Sequence, residues 1–155
     1  MADGLEGEQT VFNHVGICVT DLERSRRFYE QVLNFRYWWE LDAPEEGTSQ
    51  LLQIPEPVGL KAVYLVRDGL VLELLYFAQA EARPFRERVM NEPGLTHLSL
   101  SVGDIPAVLA KVVPHGGQVV EETDMKAAII IRDPDGQIIE LTSAGWRDIL
   151  PPPPA

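Results

Sequence analysis

The chain has 155 residues, about one domain's worth, and can bury roughly two thirds of its unfolded surface without disulfide support. With 45% hydrophobic and 24% charged residues it has a globular composition, which excludes disorder as its main state. Thirteen Lys plus Arg against 24 Asp plus Glu leave a net charge of -11, so neither nucleic acid nor an anionic membrane is expected as a partner.

The first residues carry Asp3, Glu6 and Glu8 and no apolar run, and no later stretch approaches about 18 uninterrupted apolar residues. The single cysteine, Cys18, cannot form an internal disulfide. A cytoplasmic protein is the expectation. Strand periodicity then predicts Phe12 to Val19 as the first strand. Asp21 can cap a helix whose apolar positions Leu22, Phe28, Tyr29, Val32 and Leu33 recur at helical spacing and which ends at Asn34. Strands follow at Arg36 to Leu41, Leu60 to Val66 and Leu70 to Phe77, the last two joined by a turn at Asp68-Gly69. Residues 79–94 read as a linker with a short charged helical pattern around Phe85 to Met90.

A second set of elements repeats the order. Thr96 to Val102 reads as a strand, Asp104 caps a helix with Pro106 in its first turn, and Gly116-Gly117 stops it. Strands at Val119 to Glu121, Ala127 to Arg132 and Gln137 to Thr142 follow, the last two separated by the turn Asp133-Pro134-Asp135-Gly136. Residues 144–155 form a tail that ends in Pro151 to Pro154, where a polyproline segment is expected. The reading is α+β: one domain over 11–143, made of tandem β-α-β-β-β modules at 11–78 and 95–143. A module of this kind leaves one sheet face bare, so the two should pack together.

The repetition extends to single residues. His14 opens the first strand of one copy and His97 that of the other, each followed seven residues later by an aspartate. Asp68-Gly69 precedes Glu73 as Asp135-Gly136 precedes Glu140, so each glutamate stands four residues after a glycine. Strand alternation puts Glu73 on one face with Val71 and Leu75, and Glu140 on one face with Ile138 and Thr142. A carboxylate within such an aliphatic run needs a cation, hydrogen bonds or a wet cavity. Two imidazoles and two carboxylates can together ligate a divalent metal while leaving room for water or substrate. Taken singly, each residue has a blander explanation on a strand end or sheet edge; the matched set points to a site.

With His14 and the following Thr20-Asp21-Leu22 and Phe28-Tyr29, His97, and Asp133-Pro134-Asp135-Gly136 leading to Glu140, the chain resembles the vicinal oxygen chelate superfamily. That group contains glyoxalase I, methylmalonyl-CoA epimerase, extradiol dioxygenases and bleomycin or fosfomycin resistance proteins. The resemblance implies two modules forming a curled mixed sheet around a metal cavity. It also implies His14, Glu73, His97 and Glu140 as ligands of one zinc, nickel, cobalt, manganese or iron ion. By the same analogy a substrate with adjacent oxygens binds the ion, Glu140 is the first candidate base and Glu73 the second, and the protein is a homodimer. Glu73 as a fourth ligand argues against an extradiol iron dioxygenase, which uses two histidines and one glutamate, and the retention of all four argues against a metal-free binding or resistance protein; these two stand as the alternative readings. Glutathione-specific glyoxalases typically carry an arginine four residues after the first histidine, where this chain has Cys18. The epimerase-like stretch His14 to Val19 is accompanied by Glu73 where epimerases usually have glutamine.

The common denominator is proton transfer at a carbon next to a metal-chelated carbonyl. Arg83, Arg86 and Arg88 in the linker are the cations available for coenzyme A phosphates, although solvated charges on a short helix are the better account of them. Of the remaining residues, Tyr29, Tyr64 and Tyr76 read as amphipathic core residues and Cys18 as a small apolar filler. Trp38 and Trp39 should point to opposite faces of their strand, and His115 should interact with a helix C-terminus.

Overall fold

The computed structural model describes residues 10–83, 86–87, 89–149 and 151. In module one, β1 (Val15–Val19) leads into α1 (Leu22–Gln31), then β2 (Arg36–Asp42), α2 (Glu45–Leu52), β3 (Leu60–Arg67) and β4 (Leu70–Phe77). In module two, β5 (Leu98–Val102) leads into α3 (Ile105–Val112), β6 (Gln118–Val120), β7 (Ala128–Arg132) and β8 (Ile138–Ser143), followed by α4 (Ala144–Asp148). Two four-stranded mixed sheets result, ordered β1-β4-β3-β2 and β5-β8-β7-β6, and they are not closed into a barrel. In each, the first strand runs parallel to the last, a pairing that requires the helical crossover α1 or α3.

Both crossover helices begin where capping chemistry places them. The Asp21 carboxylate accepts from the Arg24 amide at 3.0 Å and that of Asp104 from the Ala107 amide at 2.9 Å, filling donors the first turn leaves open. One row of each sheet turns toward these helices. Leu72 and Leu74 of β4, Ile139 and Leu141 of β8, and Phe28, Tyr29, Val32 and Val112 of the helices are fully buried in one core shared by the modules. Each such side chain contributes about 1.5–3 kcal/mol.

The modules are joined by α1. Phe28 approaches Gly117 so closely that a Cβ there would stand 2.5 Å from its ring and 2.7 Å from the Arg132 carbonyl, so the position admits only glycine without displacement. The Tyr29 hydroxyl donates to buried Asp133 at 2.9 Å. Asp135 accepts from the Thr20 hydroxyl and amide, the Arg24 guanidinium and the Ser25 hydroxyl. The turn after β7 thus doubles as a latch on module one.

Three expectations need correction. Helix α2, in the β2–β3 connection, carries no apolar stripe strong enough to announce it. It is set by Pro44 at its start, by Glu45 and Glu46 in its first turn, and by Gln53 in the left-handed region at its end. The helical pattern at Phe85 to Met90 forms no helix among the described residues of that segment. Only Arg86, Glu87, Val89 and Met90 of it are described, since Phe85 and Arg88 lie outside the described residues. The tail holds the short helix α4; Pro152 to Pro154 fall outside the described residues.

Candidate metal-binding half-sites

Glu73 sits at the centre of the first sheet, on the face opposite Leu72 and Leu74. Its neighbours across the ladders are Gly16 on β1 and Tyr64 on β3. Gly16 leaves the space the carboxylate occupies; a Cβ there would lie 3.4 Å from Glu73 Oε2 and 3.1 Å from Leu75. His14 precedes Gly16 by two residues and therefore presents the same face. Its Nε2 lies 3.0 Å from Glu73 Oε2. Tyr64 donates its hydroxyl to the other oxygen, Oε1, at 2.5 Å. Burial and the Glu73 carboxylate push the Tyr64 hydroxyl up to about 12.

The second sheet repeats this arrangement with other residues. Glu140 pairs across the ladders with Ser99 on β5 and Ile130 on β7. The Ser99 hydroxyl donates to Glu140 Oε2 at 2.6 Å, and His97 Nε2 lies 3.9 Å from the same oxygen. The other ring nitrogen of His97, Nδ1, is 2.8 Å from the Thr96 hydroxyl oxygen. When Nδ1–H donates to that oxygen, Nε2 presents its lone pair outward, the tautomer a metal-ligating histidine needs.

The alternation inferred from the sequence therefore holds for both glutamates, and each pairs with the histidine of its own module. Among the described residues no three His, Cys, Asp or Glu side chains come together to hold an ion. The chain brings its candidates together as two pairs on two sheets. The donor spacing within a pair suits metal ligation: two atoms each about 2.1 Å from one ion stand about 3.0–3.4 Å apart, close to the 3.0 Å of the first pair. The second pair would tighten slightly from 3.9 Å.

Around the first pair lies an aromatic wall that alternation alone misjudged. A bulge between Tyr37 and Trp39 breaks the register of β2, so Trp38 and Trp39 both approach Tyr64 rather than facing apart. Both indoles are exposed, at 57% and 40%. Trp39 stacks on the Tyr64 ring at 4.8 Å with a 9° tilt, and the His14 ring meets it edge-on at 5.7 Å.

Cys18, expected as an apolar filler, is exposed. With Gly16, His97, Asp135 and Gln137 it lines a cavity of about 290 Å³ between the two modules. Partial burial and Asp135 push its thiol up, which makes it a poor nucleophile. Arg86 is engaged by Glu92 at 2.9 Å, and His115 Nδ1 lies 2.8 Å from the Lys111 carbonyl at the end of α3, the helix C-terminal contact expected for it.

Residues 11–141 match the family model of the Glyoxalase/Bleomycin resistance protein/Dioxygenase superfamily, and the chain belongs to that superfamily. A lactoylglutathione lyase from Pseudomonas aeruginosa is 30% identical over 149 residues, covering 88% of this chain and 84% of that relative. Among solved structures, a glyoxalase family protein from Bacillus cereus superposes with a TM-score of 0.75 at 18% identity, over 92% of this chain and 97% of the other. The trypanothione-dependent glyoxalase I of Leishmania major does so with a TM-score of 0.64 at 23% identity, over 87% of each chain.

Proposed function

We propose that the protein is a metal-dependent lyase or isomerase of glyoxalase or epimerase type, moving a proton at a carbon next to a chelated carbonyl. The observation that carries this reading is the His–Glu pair found at the same register position of each sheet, His14 with Glu73 and His97 with Glu140. Two nitrogens and two carboxylates suit a divalent ion and leave positions for two substrate oxygens. The match to a lactoylglutathione lyase at 30% identity supports the same class of chemistry.

Because the pairs stand on separate sheets, we assign each complete site to two copies of the chain. Module one of one copy supplies His14 and Glu73, and module two of the other supplies His97 and Glu140. A two-fold axis then creates two equivalent sites from one interface. The histidine side chains, 38% and 31% exposed, are open to such a partner. So are the indoles of Trp38 and Trp39.

The bound ion would polarise the substrate carbonyl and lower the acidity barrier at the neighbouring carbon. The chain's own residues do the rest. Glu140 accepts the proton, with the Ser99 hydroxyl holding one of its oxygens and leaving the other free. The exposed side of Glu140 gives substrate access that the more enclosed Glu73 lacks; the two side chains are 32% and 11% exposed. Trp38 and Trp39 offer apolar surface for the remainder of the substrate.

Glu140→Gln keeps the shape of the side chain and removes its basicity. Deuterium exchange at the substrate carbon is expected to fall by about 10²–10⁴-fold, the usual contribution of a positioned base. His97→Ala should lower the bound metal after dialysis, measured by elemental analysis. Wild-type protein that retains no metal under the same conditions would favour a metal-free binding protein on this scaffold.

A further inference from the structure

The two half-sites are equivalent in register but not in how they hold their carboxylates. At Glu73 the flanking positions are Gly16 and Tyr64; at Glu140 they are Ser99 and Ile130. The hydroxyl donor therefore comes from opposite sides of the glutamate in the two modules. In module two it sits on a one-carbon side chain from the outermost strand, beside a carboxylate one third exposed. In module one it sits at the end of a rigid ring. That ring is stacked face to face on Trp39, touched edge-on by Trp38 and His14, and carried by an interior strand of the sheet.

A tyrosine held on three sides cannot follow a moving partner, whereas a serine hydroxyl can rotate with one. Glu73 is further confined by His14 at Oε2, so both of its oxygens are engaged. Among the described residues Glu140 has its close contact at one oxygen, Oε2. We propose that Tyr64 is a positioning residue that clamps Glu73 as the stationary carboxylate of the site, with Trp39 as its backing. The proposal rests on the metal-dependent reading above.

The test uses full-length, metal-free protein and cobalt(II) as the probe. Tyr64→Phe retains the ring, its stack on Trp39 and its contact with His14, and removes only the hydroxyl. Cobalt affinity, measured by calorimetry, is expected to weaken about tenfold, the lower end of what losing an outer-sphere partner costs a metal site. In the same metal-free protein, carbon relaxation at the labelled Glu73 side chain should report a rigid group in wild type. In Tyr64→Phe it should become as mobile as Glu140, with Glu140 itself unchanged. An unaltered cobalt affinity in Tyr64→Phe, or a Glu73 side chain no more mobile than in wild type, overturns the clamp. Wild-type protein that binds no cobalt overturns the metal-dependent reading instead, and the relaxation measurement still decides whether Tyr64 immobilises Glu73.

Discussion

Asp133 is 3% exposed, and its carboxylate is satisfied by the Tyr29 hydroxyl at 2.9 Å and by the amides of Asp135 and Gln137 at 2.9 and 2.8 Å. Desolvation still pushes the carboxyl up from its ordinary value, and burial followed by the adjacent charge of Asp133 pushes the Tyr29 hydroxyl well above its own. Tyr29→Phe removes one donor from a buried anion and should cost about 1–3 kcal/mol in urea unfolding. The sign of its pH dependence follows. A carboxyl whose folded value is raised binds its proton more tightly in the native state, so stability falls as pH rises from about 4 through that value. Losing the Tyr29 donor raises the folded value further, so the deficit of the variant should be smallest near pH 4 and largest at neutrality. None of this was visible in the sequence, where Tyr29 read as an apolar position of α1 and Asp133 as a turn residue. Helical spacing reports which face is buried but not which polar tip finds a distant partner.

Helices α1 and α3 were legible because an aspartate cap and a 3.6-residue apolar stripe coincide at each, and the strands because their runs are rich in aliphatic and aromatic residues and bounded by turn residues. Helix α2 has neither signal. What holds it is the Glu45 carboxylate, which accepts from the Val58 and Gly59 amides at 2.8 Å each and is kept below the usual carboxylate range by those bonds. A lowered folded value contributes stability above the unfolded pKa, about 4.3, that is lost as pH falls through the folded one. Glu45→Gln should therefore flatten the acid limb of the stability profile and speed hydrogen exchange at Val58 and Gly59. The docking of α1 on module two has a steric test. Gly117→Ala forces a methyl group against Phe28 and the Arg132 carbonyl and should lower stability by about 1–3 kcal/mol, read from its denaturation midpoint.

At the scale of the molecule, internal repetition made His14, Glu73, His97 and Glu140 stand out as a set, and strand alternation gave the correct face for both glutamates. The arrangement of those four as two separate His–Glu pairs was not legible, because it depends on two sheets that share a core yet remain separate. A site shared between copies predicts an unusual complementation. His14→Ala and His97→Ala should each lose metal binding. After the two are mixed and allowed to exchange subunits, half of the dimers carry one intact site, so binding should recover to about a quarter of the wild-type stoichiometry. Mixing would recover nothing if each chain completed its own site.

The two Asp-Gly turns that mark the internal repeat do different work. At Asp68-Gly69 the aspartate side chain is exposed and ion-paired with the neighbouring Arg67, whereas Asp135 fastens to Thr20, Arg24 and Ser25 across the molecule. A chain assembled from two copies of the first half would lack the bolt, and one assembled from two copies of the second would lack its socket. The two modules are to that extent a lock and its key: Asp135 belongs to one and its partners Thr20, Arg24 and Ser25 to the other.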